Sequence, residues 1–204
     1  MKNKWVWAVM CVLATVIGIY PVIYFIFSGK IGLLGSKPDA IYNSALWQLC
    51  FYIHIVCGGI ALLVGWPQFS NKLRQRRVTL HQNIGKVYIT AVWMSALSGI
   101  YIGCYANGGV VAATGFVTLG IIWFYTTLKA YLHILQRNIA AHRQMMVYSY
   151  AYSFEAVTLR IWLPLLSIAT GDGAMSYIIV SWLCWVPNLA VAAMLNNRHV
   201  EHNA

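Results

Sequence analysis

The chain has 204 residues, of which 60% are hydrophobic and 9% charged, and its mean hydropathy is +0.66. An ordinary soluble domain carries about 25% charged residues, so this composition excludes a soluble globular protein and points to a membrane. The formal charge of +10 sits in short loops and tails between apolar runs, where topology and anionic lipid account for it without a nucleic-acid partner.

A short basic head, Met1 to Lys4, precedes the first apolar run, residues 5–28. That run is longer than the roughly 7–15 apolar residues of a signal peptide and is expected to stay as an anchor. Residues 29–44 hold three glycines, a proline, Lys37 and Asp39 and read as a loop. The second helix is expected over 45–65, closed by Trp66 and Pro67, an interfacial aromatic and a helix breaker. Four more follow over 83–106, 115–136, 145–170 and 174–195, the turn at Asn107, Gly108 and Gly109 separating the first two of these.

The stretch from Trp66 to Tyr88 fixes the orientation, because it carries Lys72, Arg74, Arg76, Arg77 and Lys86 and basic loops stay cytoplasmic. Alternating six spans from a cytoplasmic amino terminus puts these five with Lys2, Lys4, Lys129, Arg137, Arg143 and Arg198 on the inner side, against Lys30 and Lys37 outside. The predicted fold is therefore all-α: one integral membrane domain over 1–204, a bundle of six transmembrane helices with both termini cytoplasmic, in the inner (plasma) membrane.

The five cysteines, at 11, 50, 57, 104 and 184, all fall within predicted spans, so no disulfide framework is implied. Cys50, His54 and Cys57 share a face of the second helix. A soft-metal site there is the lesser reading, and close packing of small residues with His54 bonded to a backbone carbonyl the greater; no metal is expected. His81, His133 and His142 are placed near the cytoplasmic face, and His54 about 13 Å deep at 1.5 Å per residue. The entries to the third and fifth helices also match loosely, His81 ahead of Val87-Tyr88 and His142 ahead of Val147-Tyr148, a hint of duplicated hairpins.

His54 with Gly58-Gly59 and Ala61-Leu62, Gln68-Phe69, the basic run into His81 with Gly85 and Tyr88, Trp123, and His142-Arg143 followed by Met146, Tyr150, Ala151 and Arg160 resemble the bacterial membrane proteins grouped as domain of unknown function 2306. Gln82 departs from that pattern, which would place an arginine after the histidine. The resemblance implies that these positions matter together and supplies no activity. At the level of fold the chain is also similar to cytochromes of the b561 type, in which histidines on four helices hold haems, although the depths of the histidines differ here.

Three functional expectations follow. In the first, a membrane redox protein holds haem b through two of His81, His133 and His142, with His54 as a further cofactor-binding candidate, and exchanges electrons with a quinone or a redox partner. In the second, a transporter or channel for protons or a small substrate has a polar path around His54, Tyr152, Glu155 and Arg160. In the third, the chain is an accessory subunit in the lipid bilayer without chemistry of its own. The P-loop and Rossmann glycine patterns are absent, as is a hydrolase set of serine, histidine and acid.

Overall fold

The structure is a computed structural model that describes residues 4–27 and 29–201, the side chains of 198–201 excepted. Lys2 and Ser28 and the side chain of Arg198, which entered the reading above, lie outside the described residues. Among the described residues the regular structure is helical, without strands. This suits a chain in hydrocarbon, where each backbone N–H and C=O must be satisfied internally. Among the described residues four segments are long and apolar enough to cross a bilayer, Lys4–Ile26, Ala45–Phe69, Gly109–Leu135 and Gly173–Asn197, where six were expected.

The other two expected spans differ for separate physical reasons. The helix expected over 83–106 runs from Val78 to Gly103, and its first turns carry His81, Gln82, Asn83 and Lys86, which dilute its apolar character. The helix expected over 145–170 is two helices, Ile139–Ser153 and Glu155–Thr170, of 15 and 16 residues. Each is at most about 24 Å long, short of a hydrocarbon core of about 30 Å.

The chain falls into two compact units, Met1–Ser95 and Ala96–Ala204. In the first, α1 (Lys4–Ile19) gives way to a 3-10 turn, Tyr20–Val22, and to α2 (Ile23–Ile26). Pro21 lies in that turn, where it can neither donate to the preceding turn of helix nor clear its carbonyl. A 3-10 turn at Gly32–Ser36 and α3 (Asp39–Tyr42) structure the segment expected as a loop. There Lys30 pairs with Asp39 and lies 4.8 Å from the Tyr42 ring centre. The hydrogen bond and charge of Lys30 hold the Asp39 carboxyl below its ordinary pKa.

α4 (Ala45–Gly65) starts on Ser44, whose hydroxyl accepts from Trp47 N, and ends in a 3-10 turn at Trp66–Phe69. α1 approaches α4 at glycine: a Cβ on Gly59 would sit 2.5 Å from Gly18 O, the close approach that small residues permit between membrane helices. Nearer the other end of α4, Trp47 stacks on Phe51 at 5.3 Å and Tyr24 meets Phe51 edge-on at 5.3 Å. The basic α5 (Asn71–Arg76) then leads into α6 (Val78–Gly103), within which the division into units falls.

In the second unit α7 (Gly109–Leu135) begins six residues earlier than expected, after Gly108 at φ 93°. Gly115, the expected first residue of that helix, is an internal contact instead: a Cβ there would meet Ser181 O at 2.8 Å. α7 packs along α8 (Ile139–Ser153), with Thr127 Oγ1 and Ser149 Oγ 2.6 Å apart in the buried seam. α9 (Glu155–Thr170) pairs with α10 (Gly173–Leu183), and α11 (Val186–Glu201) with α8. The helix expected over 174–195 is thus interrupted at Cys184 and Trp185.

Candidate functional site at two interrupted helices

The interruption between α10 and α11 has a cause in the sequence. Pro187 has no N–H for the carbonyl of Leu183, and its ring crowds that carbonyl, so α10 ends at Leu183. Trp185 N turns to Trp182 O at 3.3 Å, a tightened turn, and the Ser181 carbonyl that it would otherwise serve accepts from the Trp185 indole at 2.9 Å. At the other interruption, Phe154 N donates to Tyr150 O and Val157 N reaches only to Phe154 O. A continuous helix would match Ala151 O with Glu155 N.

One side chain ties the two interruptions together. Asn188 Nδ2 donates to Ala151 O at 3.2 Å, to Thr158 Oγ1 at 3.2 Å and to Cys184 O at 3.0 Å. Thr158 Oγ1 donates in turn to Cys184 O. Glu155 stands at this junction as the first residue of α9, half-buried in the protein, and its carboxyl interacts electrostatically with the fully buried Cys184. The Arg160 guanidinium donates to Ala156 O at 2.8 Å and its charge reaches Glu155. Tyr152 is buried one turn before, its ring centre 6.2 Å from that of Trp185. Of the residues expected along a polar path, Tyr152, Glu155 and Arg160 therefore gather in the second unit; His54 belongs to the first.

His54 donates from Nδ1 to Ser95 O at 2.9 Å, while the fully buried Ser95 hydroxyl donates to His54 O at 2.9 Å. A carbonyl can only accept, so Nδ1 carries a proton in this bond. His142 repeats the arrangement on the α7–α8 hairpin, with Nδ1 donating to Ala130 O at 2.8 Å. Its ring sits in the first turn of α8, ahead of the apolar part. Burial lowers its pKa from the ordinary value, the bond to Ala130 opposes this, and the nearby charge of His133 lowers it further. His133, in the last turn of α7, has a buried Nδ1 without a hydrogen-bond partner among the described residues. Its backbone carbonyl accepts from Asn138 N at 2.9 Å, in the turn where Arg137 takes φ 58°. His133 and His142 are thus neighbours in the second unit, and His81 lies near the start of α6 in the first. Among the described residues no three of His, Cys, Asp and Glu cluster to hold a metal ion.

The model of a family described as a predicted membrane protein, DUF2306, matches residues 51–196. The chain belongs to this family. No curated protein and no solved structure matches it.

In this DUF2306 chain, the roles of Thr158, Cys184 and Asn188 at the junction were not anticipated, although all lie in the matched stretch. The available signal was Pro187-Asn188 inside an apolar run: a helix breaker beside an amide that must find partners away from water. The amide's structural weight is directly measurable. Replacing Asn188 with leucine keeps the branched shape and removes both amide N–H groups, which serve three acceptors between them, leaving Ala151 O unserved at the interruption. At about 0.6 kcal/mol for an average hydrogen bond between membrane helices, the expected loss is about 1 kcal/mol. A thermal unfolding midpoint for Asn188→Leu in detergent equal to that of the parent would refute this account.

Proposed function

We propose that this membrane protein moves protons, alone or with a small solute, through the junction of the α8–α9 and α10–α11 interruptions, with Glu155 taking up and releasing the proton. The supporting observation is the junction itself: Glu155 begins α9 at one of two helix interruptions that Thr158, Cys184 and Asn188 tie together, and its carboxyl interacts with Cys184. A charge at the bilayer centre costs at least about 2.5–3.5 kcal/mol, and acidic groups kept there mark ion or proton paths by default. Irregular backbone at membrane depth is tolerated where it is buried in protein or lines a cavity, and interrupted helices commonly frame transport sites. Tyr152 and Arg160 flank the path.

The path requires a topology, and we assign six spans with both termini cytoplasmic, in the inner membrane. α6 is long enough to cross, and α8 with α9 spans as an interrupted pair. Eleven basic residues then lie inside and two outside, in line with the usual bias. In a background without the native cysteines, Gln75→Cys should react with a membrane-impermeant thiol reagent only after the membrane is opened. Labelling from outside intact cells would reverse the assignment.

Transport is tested in liposomes that contain the purified protein and a trapped pH-sensitive dye, under an imposed potassium diffusion potential. The parent should carry protons inward, Glu155→Gln should reduce the flux to that of protein-free vesicles, and Glu155→Asp should keep part of it. Equal flux in the parent and Glu155→Gln would refute the proposal. No flux in any sample, together with no bound cofactor, would favour the accessory-subunit reading.

A second reading has its own support on the α7–α8 hairpin. His142 spends Nδ1 on Ala130 O and so holds Nε2 ready as an axial ligand, the usual arrangement for a ligating histidine; His133 is its neighbour. These two residues would hold haem b, and the haem would supply one-electron transfer to a quinone or a redox partner. Protein produced in haem-replete cells should then show a Soret band that shifts on reduction and is lost in His142→Ala. A colourless parent preparation would exclude it.

A further inference from the structure

We infer that the basic turn after α4 binds the headgroup phosphate of an anionic phospholipid of the inner leaflet. An open cavity of about 470 Å³ is lined there by Ser70, Lys72, Leu73, Arg76, Arg77 and Leu80, a volume within the range of about 300–1,000 Å³ typical of small-molecule sites. Its walls divide by chemistry. Lys72, Arg76 and Arg77 contribute three cations, and the stretch from Trp66 to Tyr88 contains no acidic residue to offset them. The ion pair formed among the described residues lies elsewhere, between Lys30 and Asp39. Arg74, in the same turn, is engaged with Asn71 Oδ1. Ser70 Oγ accepts from Leu73 N at 3.4 Å, which leaves its hydroxyl hydrogen to donate. Leu73 is half-buried, while Leu80 is 41% and the adjacent Val78 51% exposed.

Three unneutralised cations beside a donor hydroxyl call for a phosphate-like anion. The exposed leucine and valine call for hydrocarbon, and a free inorganic anion would leave them uncovered. The site also directly follows the end of the apolar segment Ala45–Phe69, which places it at headgroup level. A lipid with a net negative head supplies both halves, phosphate to the cations and the first carbons of its chains to Leu73 and Leu80. Each basic residue near an anionic surface adds roughly a factor of five in binding. The inference uses only the first unit and does not depend on proton movement at Glu155.

The test uses the full chain, purified in a neutral detergent and titrated with short-chain phosphatidylglycerol, with phosphatidylcholine of the same chain length, and with inorganic phosphate, following tryptophan fluorescence and the thermal midpoint. Phosphatidylglycerol should bind saturably and raise the midpoint, and the other two should do neither. Binding should fall about 100-fold in the triple variant Lys72→Gln, Arg76→Gln, Arg77→Gln, at a factor of about five per cation, and stay unchanged in Arg137→Gln. It should also weaken as ionic strength rises from about 0.1 M to 1 M, where the Debye length shrinks from about 10 Å to 3 Å. If the triple variant cannot be recovered folded, Arg77→Gln alone should show the five-fold loss. Equal responses to the two lipids, reproduction of the effect by inorganic phosphate, or full binding by the variants would each overturn the lipid assignment.

Discussion

The second unit depends on how the backbone carbonyls near residues 151 and 184 are satisfied. In hydrocarbon an unserved carbonyl costs several kcal/mol, so a helix interrupted there persists only when something replaces the missing N–H. Asn188 replaces it for Ala151 O, Trp185 replaces it for Ser181 O with its indole, and Thr158 adds a bond to Cys184 O. Both interruptions are thereby served from within the same four helices. The polar side chains of the junction are there because the backbone needs them.

The small residues of the chain do complementary work. Gly59 admits the backbone of Gly18, Gly115 admits Ser181 O, and Gly120 leaves room for Ile100, where a Cβ would come within 2.7 Å. Such contacts bring polar backbone close enough to be shared between helices, as Trp182 shows by donating to Val111 O at 3.1 Å next to Gly115. Without a hydrophobic drive between helices in lipid, association rests on this close packing and on hydrogen bonds across it. Thr127 with Ser149 and Ser95 with His54 are further cases.

How much of this was legible in the sequence varies with the physics behind each feature. Apolar run lengths are a property of composition, so the helical class and the membrane class could be read directly. The interruptions were not anticipated. Pro187 was visible, but a proline in a membrane helix produces anything from a gentle kink to a full interruption, depending on which neighbour serves the freed carbonyl, and that neighbour lies on another helix. Phe154 carries no local signal at all, because its break is defined by Asn188, 34 positions along the chain. Glu155 and Arg160 could be singled out as costly charges, yet Cys184 as the carboxyl's partner depended on a pairing of α9 with α10 that no spacing encodes. The carbonyl bond anticipated for His54 is present, and its acceptor, Ser95 O, had to come from the fold.

The two histidines bonded through Nδ1 show how one device can serve structure and chemistry together. His54 joins α4 to α6, and His142 joins α8 to α7. In each the bond from Nδ1 to a backbone carbonyl holds the ring in one orientation. A ring serving packing alone would gain as much from bonding through either nitrogen. A proton acceptor or an axial ligand needs one nitrogen anchored and the other open. His133 lacks such an anchor at its buried Nδ1, so on the α7–α8 hairpin His142 has the better-defined lone pair. His133 acts on the His142 ring through charge.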